Sequence, residues 1–225
     1  MKATIFGSDL PGVTFELDKG EAVITQSGGM AWMSDGFNME TNIKGGLLKG
    51  IGRMMSGESL FMATYTATKS NQEITFASTF PGHIVELDVT QKTWICQKDA
   101  FLVSEPTVNL SIELTKRLSA GLFGGEGFIL QRLEGQGRVF LETAGSVVKR
   151  ELKAGEVIKI DTGNLVAFEQ GMRYEIETVK GFKNIFFGGE GLFLTRVTGP
   201  GTVYLQTLTV QNVAQRIIPF IPKSN

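Results

Sequence analysis

The chain has 225 residues, is 42% hydrophobic and 20% charged, and carries 28 glycines, a composition that describes a turn-rich globular protein and leaves no need for an interdomain linker. Twenty-two basic and 23 acidic residues leave a formal net charge of −1, which excludes a whole-protein field for nucleic acid or anionic membranes, so DNA is not expected as a partner. One cysteine, Cys96, and one histidine, His83, exclude an internal disulfide and most histidine-based hydrolase and zinc chemistry, so no catalytic, cofactor or metal residue is assigned.

At the start, Met1 to Gly7 is too short an apolar stretch for a signal peptide, and no run reaches the length of a membrane-spanning helix. A reducing cytoplasmic setting is the expectation. A first segment then opens at Glu16-Leu17 and continues to a strand-like block, Ala31-Trp32-Met33. After the turn residues Asp35-Gly36 the chain alternates: Phe37, Met39, Thr41 and Ile43 are separated by Asn38, Glu40 and Asn42, a period of two that predicts a strand with one wet face. A connector follows in which Leu47, Leu48, Ile51, Met54 and Met55 have helical spacing beside Lys49 and Arg53. It leads to Gly57-Glu58-Ser59-Leu60-Phe61 and a strand ending at Phe76.

The same order returns twice, at intervals of about 65 to 70 residues. Glu86-Leu87 and Glu151-Leu152 open the copies; Phe101-Leu102-Val103 and Leu165-Val166-Ala167 are their second blocks. Turns at Glu105-Pro106 and Gln170-Gly171 precede alternating strands through Val108, Leu110, Ile112 and Leu114, and through Met172, Tyr174, Ile176 and Thr178. Connectors containing Lys116 and Arg117, and Lys180 and Lys183, run to Gly125-Glu126-Gly127 and Gly189-Glu190-Gly191. Hairpins then turn at Glu134-Gly135-Gln136-Gly137 and Gly199-Pro200-Gly201. The reading is an all-β domain of three short antiparallel units, about 13–80, 83–146 and 148–210, packed around a pseudo-threefold axis because each alone leaves edges and an apolar face uncovered. A tail, 211–225, follows; its segment Arg216 to Pro222, apolar through Ile217, Ile218, Phe220 and Ile221 and interrupted by Pro219 and Pro222, is expected to lie in a groove as neither regular helix nor central strand.

With these words in order (Met30-Ala31-Trp32-Met33-Ser34-Asp35-Gly36, Ser56-Gly57-Glu58-Ser59-Leu60-Phe61, Phe80-Pro81-Gly82-His83, and the Gly124-Gly125-Glu126-Gly127-Phe128 motif with its copy at Gly188-Gly189-Glu190-Gly191-Leu192-Phe193), the chain resembles the bacterial and archaeal relatives of the "altered inheritance of mitochondria" protein of fungal mitochondria. The resemblance implies a double-stranded β-helix fold like that of the trp RNA-binding attenuation protein, in internal repeats, and a family without an established enzyme activity whose mitochondrial members are tied to inner-membrane organisation.

Other chemistry is weaker. Ser59 lacks the second glycine of a nucleophile elbow. His83 reads as a turn-flanking imidazole and Cys96 as a small strand residue. Gly57, Glu58, Gly125, Glu126, Gly189 and Glu190 form a repeated turn motif, its carboxylates accepting backbone hydrogen bonds; converging on an axis they would instead suit a hard cation. Lys49, Arg53, Lys116, Arg117, Lys180 and Lys183 mark a candidate interaction face for another subunit, a protein or an anionic membrane surface. The functional expectation is a non-enzymatic binding or scaffold protein, acting as a homo-oligomer. The alternatives are a metal- or small-ligand-binding β-barrel using the glutamates, enzymatic or not, and RNA binding.

Overall fold

The computed structural model describes residues 1–26, 28–43, 61–116, 128–178 and 193–221. Nearly all regular structure in them is β. The first third holds β1 (Lys2–Phe6), β2 (Gly12–Leu17), β3 (Ala22–Gln26), β4 (Met30–Met33), β5 (Phe37–Ile43), β6 (Phe61–Ala67) and β7 (Gln72–Ala77). The middle third holds β8 (Gly82–Asp88), β9 (Trp94–Gln97), β10 (Phe101–Ser104), β11 (Val108–Lys116), β12 (Phe128–Gly135) and β13 (Arg138–Ala144). The last third holds β14 (Val147–Leu152), β15 (Val157–Asp161), β16 (Leu165–Glu169), β17 (Arg173–Thr178), β18 (Phe193–Thr198) and β19 (Gly201–Gln206). The Glu-Leu pairs lie within or at the end of β2, β8 and β14, and the alternating segments become β5, β11 and β17.

All assigned pairing is antiparallel, in four sheets: β1-β2-β7-β4, then β5-β6-β3-β10-β13-β8, then β11-β12-β9-β16-β19-β14, and finally β15-β18-β17. The two six-stranded sheets are each half from one third of the chain and half from the next. Their joins are β3 with β10, where Thr25 faces Val103, and β9 with β16, where Cys96 faces Ala167. A bulge interrupts β4, β10 and β16 at the same point of each, between Met30 and Trp32, Phe101 and Val103, and Leu165 and Ala167.

The core follows the sheets. One cluster joins Val13, Phe15, Ile74 and Phe76 of the first sheet to Val23, Tyr65 and Ala67 of the second, and also takes in Leu102, Val103 and Phe140 from the middle third. A second gathers Leu87, Trp94, Cys96, Leu110, Leu133 and Leu141 with Val166 and Ala167 of the last third. A third holds Phe128, Leu130, Ile160, Phe168 and Val197. At the β12–β13 turn Gly135 has φ +113°, and a Cβ there would stand 2.5 Å from the Thr107 carbonyl oxygen, so glycine is required on both grounds.

The chain end adds a helix that the sequence reading did not assign, and its last two residues, Arg216 and Ile217, enter the segment expected to be irregular. A helix, α1 (Val210–Ile217), is capped by Thr209, whose Oγ1 accepts the Asn212 N–H at 3.1 Å, and a single 3₁₀ turn (Ile218–Phe220) follows. Pro219 and Pro222 disfavour a helix that continues through them; the eight residues ahead contain no proline and are free to coil. Among the described residues no helix is long and apolar enough to cross a membrane.

Candidate interaction surfaces

Of the basic residues expected to form an interaction face, Lys116 is the last residue of β11, its backbone paired with Phe128. Lys49, Arg53, Arg117, Lys180 and Lys183 lie outside the described residues, as do Gly57, Glu58, Gly125, Glu126, Gly189 and Glu190, and Ser59 with them. Their positions are nonetheless bracketed. Residues 44–60, 117–127 and 179–192 each join two neighbouring antiparallel strands, whose flanking pairs are Ile43 with Phe61, Lys116 with Phe128, and Thr178 with Phe193. All three connectors therefore leave the corresponding end of a ladder.

Two other residues singled out in the sequence lie in strands. His83 lies in β8 with Nδ1 3.0 Å from the Gly145 carbonyl oxygen. Cys96 is fully buried in β9, and burial pushes its thiol far up, so the nucleophilic thiolate is suppressed. Charged side chains pair with each other. Arg138 Nε donates to Glu105 Oε1 at 2.7 Å, and Arg132 donates to Glu113 through Nε at 3.0 Å and Nη2 at 2.7 Å. Glu169 accepts from Lys92 Nζ and from Thr202 Oγ1, both at 2.6 Å. Burial alone would push the Glu169 carboxyl up; those two donors outweigh it and hold the group below its ordinary value. Among the described residues no cluster of three or more histidine, cysteine or acidic side chains is placed to hold a metal. A shallow hollow on the last sheet is lined by Arg173, Glu175 and Arg196 with Gly155, Val157 and Thr198. Its arginines both contact Glu175.

What sequence reasoning missed is apolar. Trp32 is 56% exposed and Met33 41% exposed on β4, and the Trp32 ring lies 6.2 Å from that of Phe6. Ile5 and Leu10 add to the exposed apolar surface of this first third. At the other end of the sheet series Val157 of β15 is exposed, and Ile158 and Tyr174 are only half-buried. Helix α1 buries none of its residues, and Ile217, Ile218, Phe220 and Ile221 all remain open, Phe220 to 85%. Isolated exposed apolar residues are ordinary, whereas groups of them mark contact surfaces. The sequence blocks set Trp32 beside Leu102 and Val166, and only the bulge positions in the ladders correct this by one residue. Trp32 stands at the strand position that Val103 and Ala167 occupy, a size jump that a shared environment would not produce.

Comparison with known proteins places these surfaces in context. The family described as mitochondrial biogenesis AIM24 matches residues 3–208. The chain belongs to that family. An uncharacterised protein of Streptococcus pyogenes serotype M6 is 30% identical over 234 aligned positions, which cover 100% of this chain and 93% of that one. The crystal structure of SPYM3_0169, also from Streptococcus pyogenes, superposes with a TM-score of 0.80 at 26% identity, covering 98% of this chain and 99% of that one. The family expected from the glycine-rich words is thus the family found.

Proposed function

We propose that this chain is a non-enzymatic scaffold: three β units of the same plan, in the arrangement that the resemblance to the trp RNA-binding attenuation protein implied, which works by holding copies of itself and other macromolecules. The observation that carries the reading is the grouping of large apolar side chains on the surface beside β4 (Ile5, Phe6, Leu10, Trp32 and Met33) and along the C-terminal helix and the turn after it. Corresponding sheet joins and bulges in successive thirds support the three-unit plan. The basic connectors supply a second contact region, where Lys49, Arg53, Lys116, Arg117, Lys180 and Lys183 favour an acidic partner or an anionic membrane surface.

Light scattering from about 1 to 100 µM, in a range where mass action reveals weak association, tests the scaffold directly. Species heavier than the 24.5 kDa chain are expected. Flotation with neutral and anionic vesicles tests the connectors, with recovery on anionic vesicles reduced by Lys49→Glu combined with Arg53→Glu. A strictly monomeric protein that floats with neither vesicle refutes the reading.

A further inference from the structure

Among the described residues Phe220 is the most exposed of the large apolar side chains, and Ile217, Ile218 and Ile221 around it are each more than half open to solvent. Single cases of this kind are ordinary, but four in five consecutive positions form a patch. Helix α1 leads into it with two distinct sides: Val210, Val213, Ala214 and Ile217 recur at i, i+3, i+4 and i+7, and Gln211, Asn212, Gln215 and Arg216 fill the other side. The body holds the start of this helix and little more. Thr209 caps it and lies over Gly163, where an added Cβ would come within 3.1 Å of the threonine methyl, and the Leu208 N–H donates to the Ala144 carbonyl oxygen at 3.1 Å. Beyond that point its substantial packing is with the 3₁₀ turn that follows, and none of its residues is buried.

A helix of 8 residues has little stability of its own in water, where isolated helices shorter than about 12–15 residues are marginal. Its apolar stripe calls for a covering surface, and length and charge say of which kind. At 1.5 Å per residue the helix is about 12 Å long, far short of the roughly 30 Å core of a bilayer, so it fits the plane of an interface and cannot cross one. From Leu208 to Asn225 the sequence holds no acidic residue and carries Arg216 and Lys223, which makes this segment cationic in a chain of net charge −1. The 3₁₀ turn narrows the choice further. Three residues per turn set Ile218, Pro219 and Phe220 about 120° apart around the axis, and all three are exposed, so the turn is apolar on every side. A protein groove covers one side of such a turn, whereas a fluid acyl layer covers them all.

We propose that the segment from Val210 to Ile221 is an in-plane anchor for an anionic phospholipid surface. The inference rests on the reading of the chain as a binding protein and names one of its partners. Ile217, Ile218, Phe220 and Ile221 enter the boundary between headgroups and acyl chains, and Val210 and Ala214 lie along it. Arg216 runs its stem over the apolar surface and keeps its guanidinium at the level of the lipid phosphates. The side chains that enter are ones the folded body leaves uncovered, so docking withdraws nothing from the core. A single short anchor of this size gives reversible attachment, comparable with the marginal hold of one acyl chain.

The test floats the full chain with vesicles of phosphatidylcholine alone and of phosphatidylcholine mixed with phosphatidylglycerol. Recovery is expected on the anionic vesicles. Ile217→Ser combined with Phe220→Ser, which keeps the fold by circular dichroism because both side chains are exposed, is expected to lower vesicle affinity at least about tenfold. Arg216→Glu is expected to lower it about fivefold on anionic vesicles and to leave neutral ones unaffected. Phe220→Trp is expected to add a blue-shifted emission on anionic vesicles that the parent, with Trp32 and Trp94, does not show. If the parent floats with neither vesicle the anchor is overturned, and light scattering then judges the scaffold reading separately. Flotation that falls with Lys49→Glu plus Arg53→Glu and is unmoved by the two serines overturns the anchor and leaves that reading standing. Serines that lower the mass seen by light scattering while flotation is unchanged also overturn it, because the patch is then covered by another copy.

Discussion

Phe140 tests whether the three units fold as one body. It belongs by sequence to the middle unit, on β13, but its ring is 0% exposed in the core of the first, where it meets Phe15 edge-on at 5.1 Å and 83°. Arg138 sits 5.8 Å from the centre of the same ring. Phe140→Ala removes a fully buried ring from a site walled by β-ladders on both sides, where collapse is restricted. Such truncations cost about 3–5 kcal/mol, and the lost edge-on pair adds about 0.5–1.5 kcal/mol, which puts the expected loss near the top of the range. With a urea dependence of about 3 kcal/mol/M for a chain of this size, the unfolding midpoint falls by about 1.5 M. Hydrogen exchange read by mass spectrometry should then show faster exchange in β2 and β7 as well as in β13. Tyr204→Ala, at the corresponding place in the last unit and only half-buried against Trp94 at 5.6 Å, should cost less, about 2–3 kcal/mol. A midpoint shift for Phe140→Ala below about 0.5 M, or exchange confined to the middle unit, would refute the shared core.

The paired carboxylate Glu169 predicts part of the acid response. Its folded-state value is lowered, so its contribution is full above the ordinary glutamate value of about 4.3 and fades as pH falls through the lower folded value. Glu169→Gln should therefore flatten the decline of the urea midpoint at acid pH, and parallel curves for the two proteins would remove Lys92 and Thr202 from the account. Cys96, fully buried, should resist thiol reagents in the native state and react stoichiometrically in denaturant. Gly82→Ala places a Cβ 1.7 Å from the Thr143 carbonyl oxygen within the β8–β13 ladder. Neither backbone can yield without breaking that pairing, so a loss above about 3 kcal/mol or insoluble expression is expected, and a melting temperature within about 2 °C of the parent would contradict the local geometry.

The strands were legible because β structure with one wet face leaves a period of two in the sequence, and the Val108 to Leu114 stretch shows it at one glance. Turn positions were equally open, since Gly135 and Gly137 adopt the positive φ that their residue type announced. The joins were not. Nothing in Phe140 says that its ring enters the first core while Val139 and Leu141 enter the second, because both neighbours of a strand buried on two faces are apolar and the alternation disappears. Helix α1 escaped notice for the opposite reason. Two prolines dominated the reading of the tail, although they act at their own positions and barely ahead of them. Of the candidate basic face only Lys116 falls within the described residues, and the exposed apolar side chains came into view only once strands were paired.

The sharing of cores between successive thirds of the chain has a physical origin. A unit of about 65 residues buries too little apolar surface to be secure alone, and here each internal join lets a following unit lend side chains to the core before it: Leu102, Val103 and Phe140 to the first, Val166, Ala167 and Tyr204 to the second. Lending also runs forward: Met62 of the first unit enters the second core, and Ile95, Phe128 and Leu130 of the middle unit enter the third. Among the described residues the two ends of the sheet series are covered less: Ile158 and Tyr174 of the last unit are only half-buried, and Trp32 of the first is exposed. Shared cores of this kind tie the thirds of the chain into one body, so a cavity opened at one join weakens the strands on both sides of it.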